Sequence, residues 1–110
     1  MQNRDILFPG RRPHEQREER VVRAKFIFST CYGRRNQASL DPGRLTEDQL
    51  VQITLDYADN RREYRQMVRK ALEEEYYGSS RALGAAVTDV LRVFERTFFW
   101  YVVRRFPEEY

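Results

Sequence analysis

The chain holds one cysteine, Cys31, and one histidine, His14, in 110 residues. A single cysteine excludes an intramolecular disulfide framework. The same scarcity removes most catalytic vocabularies. A serine triad would need His14, a Cys–His nucleophile pair would need His14 and Cys31 together, and zinc would need several such ligands at suitable spacing. Cys31, beside an apolar run, reads as a small core side chain, and His14, in a charged segment, as a surface residue. The acids do not fill the gap. Glu73-Glu74-Glu75 reads as a solvated face near a helix end, and Asp56 and Asp59 as ordinary helix-surface carboxylates. An enzyme is therefore not expected, nor a metal, a cofactor or a small-molecule substrate.

Glycine and proline are also sparse, five and four residues. Gly78-Ser79-Ser80-Arg81 at a helix start would suit an anion. No Walker-type Gly-Lys-Ser/Thr follows it, and a tight helix–helix turn requires the same residues. It does not open a DNA-reading helix either. The helix that follows is too long and too apolar to leave one side free for a groove. No apolar run approaches the ~18 residues of a membrane span, and no charged-then-apolar leader is evident, so a cytoplasmic protein with no membrane contact is expected.

What the chain does have is charge and aromatic surface. Hydrophobic residues make up 41%, aromatics 14% and charged residues 34%, enough for a packed core under long solvated helical faces. The net charge of +3 is unevenly placed. Residues 1–44 carry ten basic and five acidic side chains, a balance of +5, against ten and twelve, or −2, in residues 45–110. Eighteen of the twenty basic residues are arginine, whose planar fork suits phosphate and carboxylate, although a GC-rich genome would give the same bias.

The pattern along the chain is helical, and the expected class is all-α, in one domain. Residues 1–12 read as a basic arm, with Pro9-Gly10, Arg11-Arg12 and a short apolar cluster, Ile6-Leu7-Phe8, able to anchor it to a groove on its own body or on a partner. A single domain follows over 13–110. A helix is expected from Pro13 to about Cys31, with Glu15, Glu18 and Glu19 near its positive end. Within it, residues 21–28 also suit a strand, with Val22, Ala24, Phe26 and Phe28 on one side. No second strand-like segment exists to pair with it, which favours helix. Tyr32 to Arg44 reads as a loop.

Thr46 and Gln49 have the spacing of a capping box. From there to Tyr77, Leu50, Ile53, Tyr57, Tyr64, Val68, Ala71 and Leu72 share one stripe, broken once at Asn60 and Arg61. Residues 46–77 are thus either one interrupted helix or two that meet near Asp59-Asn60. Arg69–Glu73 and Lys70–Glu74 are candidate i,i+4 pairs. Gly78 reads as the C-cap, Ser79 or Ser80 as the next N-cap, and the last helix as running from about Arg81 to Phe106. A three-residue connection would make this an antiparallel hairpin over about 45–106.

On the last helix Leu83, Val87, Val90, Leu91, Phe94, Phe98 and Tyr101 form a core stripe, and Asp89, Arg92 and Arg96 the solvated face. Continued toward the C-terminus, that face meets Phe99 and Val103, with Trp100 at its margin. A helix end that is apolar all round is normally covered on every side. The cover is either the N-terminal helix or arm, or another molecule. Aromatics beside arginines, here Arg96, Arg104 and Arg105, have the composition of interface hot spots.

The leading expectation is a non-catalytic subunit or adaptor that assembles with itself or a larger complex through Arg96, Phe99, Trp100, Val103 and Phe106. The alternative is a small helical protein that contacts nucleic acid through Arg4, Arg11, Arg12, Arg17, Arg20, Arg34 and Arg35, with Arg23 beside them. Aromatics that would stack bases are few there, only Phe8 and Tyr32. Glu15, Glu18 and Glu19 interrupt the basic run.

Overall fold

The computed structural model describes residues 13–109, with side chains described from residue 16 onward. The basic arm, its Ile6-Leu7-Phe8 cluster, Arg4, Arg11 and Arg12 lie outside the described residues, as do the side chains of His14 and Glu15. Among the described residues there are four α-helices and no strand: α1 (Pro13–Asn36), α2 (Glu47–Asp59), α3 (Arg61–Leu72) and α4 (Ser80–Arg105), with a single 3-10 turn at Pro42–Arg44. None of these helices is long and apolar enough to cross a membrane.

Residues 21–28 are helical. Ala24, Ile27, Phe28 and Cys31 are buried at i, i+3, i+4 and i+7, the inward face of a helix. This helix runs five residues beyond Cys31, into the segment expected to be a loop. Gly33, which suggested that loop, sits in the last helical turn. Gln37 takes the left-handed conformation at φ 52°. The Ala38 N–H then returns to the Gly33 carbonyl at 2.9 Å, the closing bond of a Schellman cap. A Cβ on Gly33 would lie 2.9 Å from the Ala38 carbonyl oxygen, so the residue is needed for close approach and not for a bend.

The capping box forms as its spacing implies. Thr46 Oγ1 accepts from the Gln49 N–H at 3.1 Å, and Gln49 Oε1 from the Thr46 N–H at 2.8 Å. The stripe from Thr46 then divides into two helices at Asn60. Its backbone leaves the helical region at φ −135°, ψ 43°. Its side chain donates to the Asp56 carbonyl at 3.0 Å, taking up an acceptor left open at the end of α2.

Helix α3 stops at Leu72, short of Tyr77. Residues 73–78 form consecutive turns, so the connection is longer than three residues and Gly78, at φ +85°, lies six residues beyond the last turn of α3. Neither Arg69–Glu73 nor Lys70–Glu74 forms an ion pair, because the helix that would align them has ended. Ser79 accepts from the Ala82 N–H at 3.2 Å and starts α4.

Each of α1, α2 and α3 packs on α4. Cross-helix ion pairs give their sense. Arg105 pairs with Asp48 of α2, Glu95 with Arg61 at the start of α3, and Asp89 with Arg20 of α1. At the centre each helix contributes one ring: Phe28, Tyr57, Tyr64 and Phe94, all buried. Phe28 stacks on Phe94 at 3.9 Å between centroids and meets Tyr57 edge-on at 5.0 Å. Tyr57 and Tyr64 stand perpendicular at 5.6 Å. Offset stacks and T-shapes are the favoured ring geometries, so this contact fixes the angles between helices as well as burying area.

Candidate interaction surfaces

Both central tyrosines carry a hydroxyl into the core, and each finds a carboxylate. Tyr64 donates to Asp56 Oδ2 at 2.5 Å. The same carboxylate accepts from Arg35 Nε at 2.8 Å, Asn60 Nδ2 at 3.0 Å and Asn36 Nδ2 at 3.3 Å. Arg35 also pairs with Glu63 and lies over the Tyr64 ring. Tyr57 repeats the pattern. It donates to Glu95, which accepts from Arg61 at 2.8 Å, and Arg61 lies over the Tyr57 ring.

Burial alone would raise the Asp56 carboxyl. Hydrogen bonds from Tyr64, Arg35 and Asn36, with the charge of Arg35, outweigh it and hold the group below its ordinary value. Burial, reinforced by Glu95, pushes the Tyr57 hydroxyl up to about 12. Burial and the neighbouring Asp56 push Tyr64 higher still. Asp56 is thus a part-buried acceptor shared by four side chains, Arg35, Asn36, Asn60 and Tyr64, and not the surface acid its position on α2 suggested. The sequence held no local signal for it, since Arg35 lies 21 residues upstream. No buried side-chain nitrogen or oxygen lacks a partner among the described residues.

Cys31 is buried, and burial pushes its thiol up to about 11, away from the thiolate a nucleophile needs. Among the described residues no group of His, Cys, Asp and Glu could hold a metal ion.

Exposed apolar surface gathers in two places. The first is the end of α4. Trp100 is 46% exposed, Val103 is 45% exposed, and Phe106 is also open to solvent. Rings lead there from the core: Phe94 to Phe98 at 4.9 Å, Phe98 to Tyr101 at 6.1 Å, and Tyr101 stacked on Trp100 at 4.0 Å. Arg104 lies over the Trp100 ring at 5.7 Å. Arg96 is exposed on the same side and forms no ion pair with a described residue. Phe99 differs from the expectation. It packs on the core, 6.0 Å from the Tyr57 ring, so α2 covers that flank and Trp100, not Phe99, is the open aromatic.

The second place is a groove of about 1110 Å³ between α1 and the end of α3. Val22, 62% exposed, and Phe26, 57% exposed, lie one turn apart along it, with Ile27, Cys31, Met67 and Ala71 beneath or opposite. Glu18, Glu19, Glu74 and Glu75 stand toward one end, and Arg34 and Lys70 toward the other. Sequence periodicity passed over this surface. A strand would put Val22, Ala24, Phe26 and Phe28 on one side; in the helix, the favoured reading, Ala24 and Phe28 turn inward and Val22 and Phe26 outward.

Of the arginines expected to meet nucleic acid, Arg17, Arg20, Arg34 and Arg35 are among the described residues. Arg17 and Arg34 are exposed; Arg20 pairs with Asp89, Arg23 with Glu75, and Arg35 with Asp56 and Glu63. A different basic row stands clear: Arg62, Arg65 and Arg69, on one face of α3, are exposed and form no ion pair with a described residue. No family model matches the chain, and neither a curated protein nor a solved structure matches it.

Proposed function

We propose that this is a non-catalytic helical interaction protein, a subunit or adaptor that assembles with a second copy or a larger complex through the end of α4. The antiparallel hairpin over about 45–106 is its frame: α2 and α3 follow each other along α4 and leave the last turns of α4 open on one side. The observation that carries the reading is the exposure of Trp100 and Val103 at the end of a continuous row of rings. A tryptophan already held by Tyr101 and Arg104 loses little side-chain freedom on docking, and aromatic anchors flanked by arginine dominate binding energy at interfaces. A cytoplasmic setting belongs to the same proposal.

Size-exclusion chromatography with light scattering, on the chain alone and on material purified from its native extract, tests it. Assembly that is lost in Trp100→Asp supports the reading. A monomer in both preparations, or a mass unchanged by Trp100→Asp, would overturn it.

A second reading, contact with nucleic acid, is favoured by the exposed row Arg62, Arg65 and Arg69, which has no acidic partner among the described residues. Three phosphate contacts would give a salt dependence of slope about −2 to −3 in log K against log salt. Binding that is absent at low salt ends that reading.

A further inference from the structure

The groove between α1 and α3 leaves Val22 and Phe26 in solvent, where an amphipathic helix normally presents polar residues, with Met67 and Ala71 across from them. Two ion pairs give the groove its direction. Arg35 near the end of α1 pairs with Glu63 near the start of α3, and Arg23 pairs with Glu75 just past its end, so the two helices run antiparallel. Glu18 and Glu74 therefore stand at one end of the groove and Arg34 toward the other. All three are exposed, and none forms an ion pair with a described residue. Glu18, Val22, Phe26 and Arg34 belong to one i+4 series on α1, the ridge used in the commonest class of helix crossing. Phe26 is its midpoint, with Glu18 and Arg34 each about 12 Å away along the axis.

We propose that this groove is a homodimer contact, on which a second copy docks about a two-fold axis beside Phe26. The α1 helices of the two copies then run antiparallel. Phe26 of each copy enters the groove of the other, over Met67 and Ala71, and Glu18 of each faces Arg34 of the other. Charge selects this arrangement. An acid at one end, a base at the other and an apolar midpoint form a surface that complements itself when reversed, which an isologous pair requires and a different partner does not. A two-fold axis along the groove would instead set Glu18 on Glu18 and Arg34 on Arg34, and like charges opposed across an interface are costly. The contact lies on α1 and α3, whereas the surface proposed for assembly lies at the end of α4, so the two can fail separately. With the groove pair as the unit, Trp100→Asp returns a larger assembly to the pair, and Phe26→Asp breaks the pair while leaving Trp100 open to a partner.

Sedimentation equilibrium of the full chain over a wide concentration range tests the pair. The expected result is a concentration-dependent dimer that is abolished by Phe26→Asp, an exposed position, and retained in Trp100→Asp. Glu18→Arg alone and Arg34→Glu alone should each weaken the dimer severalfold, because each sets like charges opposite one another at both ends. Mixing these two variants should restore it, since each copy then supplies the charge that the other lacks, and one chain carrying both substitutions should do the same. A defect in folding would not be repaired by mixing. A monomer at every concentration, a dimer that survives Phe26→Asp, or a mixture that associates no better than either variant alone overturns the proposal. A dimer lost in Trp100→Asp also overturns it and assigns the contact to the end of α4.

Discussion

Phe94 and Trp100 lie six residues apart on α4 and are both large aromatics, yet their surroundings are opposite. At Phe94 the rings of Phe28 and Tyr57 close the space, Tyr64 packs behind them, and the two tyrosines are anchored by carboxylates. At Trp100 the ring stacks on its own neighbour and faces solvent. The difference teaches that the aromatic content of α4 serves two purposes. Its middle fixes how four helices meet, and its end has packing to spare. If so, stability and assembly should separate along one helix.

The largest effect falls at the centre. Phe94→Ala removes a fully buried ring that packs on rings of α1 and α2 and should cost about 3–5 kcal/mol, measured by urea unfolding. A smaller loss would mean that the four-ring contact is less tightly fitted than its geometry indicates. Asp56→Ala comes next. It leaves the Tyr64 hydroxyl and the Arg35 guanidinium without their shared acceptor and should cost about 1–3 kcal/mol.

Titration sharpens the same contrast without mutation. The Asp56 carboxyl is lower in the folded chain than in the unfolded one, so its contribution is present above the ordinary carboxylate value of about 4 and is lost as pH falls through its folded value. Tyr57 is raised to about 12, so its contribution is present below the ordinary tyrosine value of about 10 and is lost between there and about 12. Asp56→Asn should flatten the acid limb of the stability profile and leave in place the part of the alkaline limb that belongs to Tyr57, whose partner is Glu95. The smallest effect on stability belongs to Trp100→Ala, expected below about 1 kcal/mol by the same unfolding assay.

How far these features could be read from the sequence depends on whether their causes are local. Thr46 and Gln49 announce a helix start because both halves of the capping box lie within four residues. Ser79 and Pro107 bracket α4 for similarly short-range reasons, and the stripe from Leu83 to Phe98 is its buried face. Gly33 misled because glycine signals both a bend and a close approach, and only the Ala38 carbonyl shows which applies. The break at Asn60 was one of two open readings, decided by the bonds its side chain makes to Asp56. Asp56 itself gathers partners from across the fold. The open faces of Val22, Phe26 and Trp100 depend on where neighbouring helices stop, which periodicity within one helix does not record.

Trp100 is the only tryptophan, so its fluorescence reports on the end of α4 without labelling. Acrylamide quenching compared between the dilute chain and its assembled form, whether concentrated or recovered from native extract, tests the central claim most directly. The account predicts ready quenching of the half-exposed ring in the dilute chain and severalfold protection on assembly. Equal quenching in an assembly of demonstrably larger mass would place the interface elsewhere and contradict it.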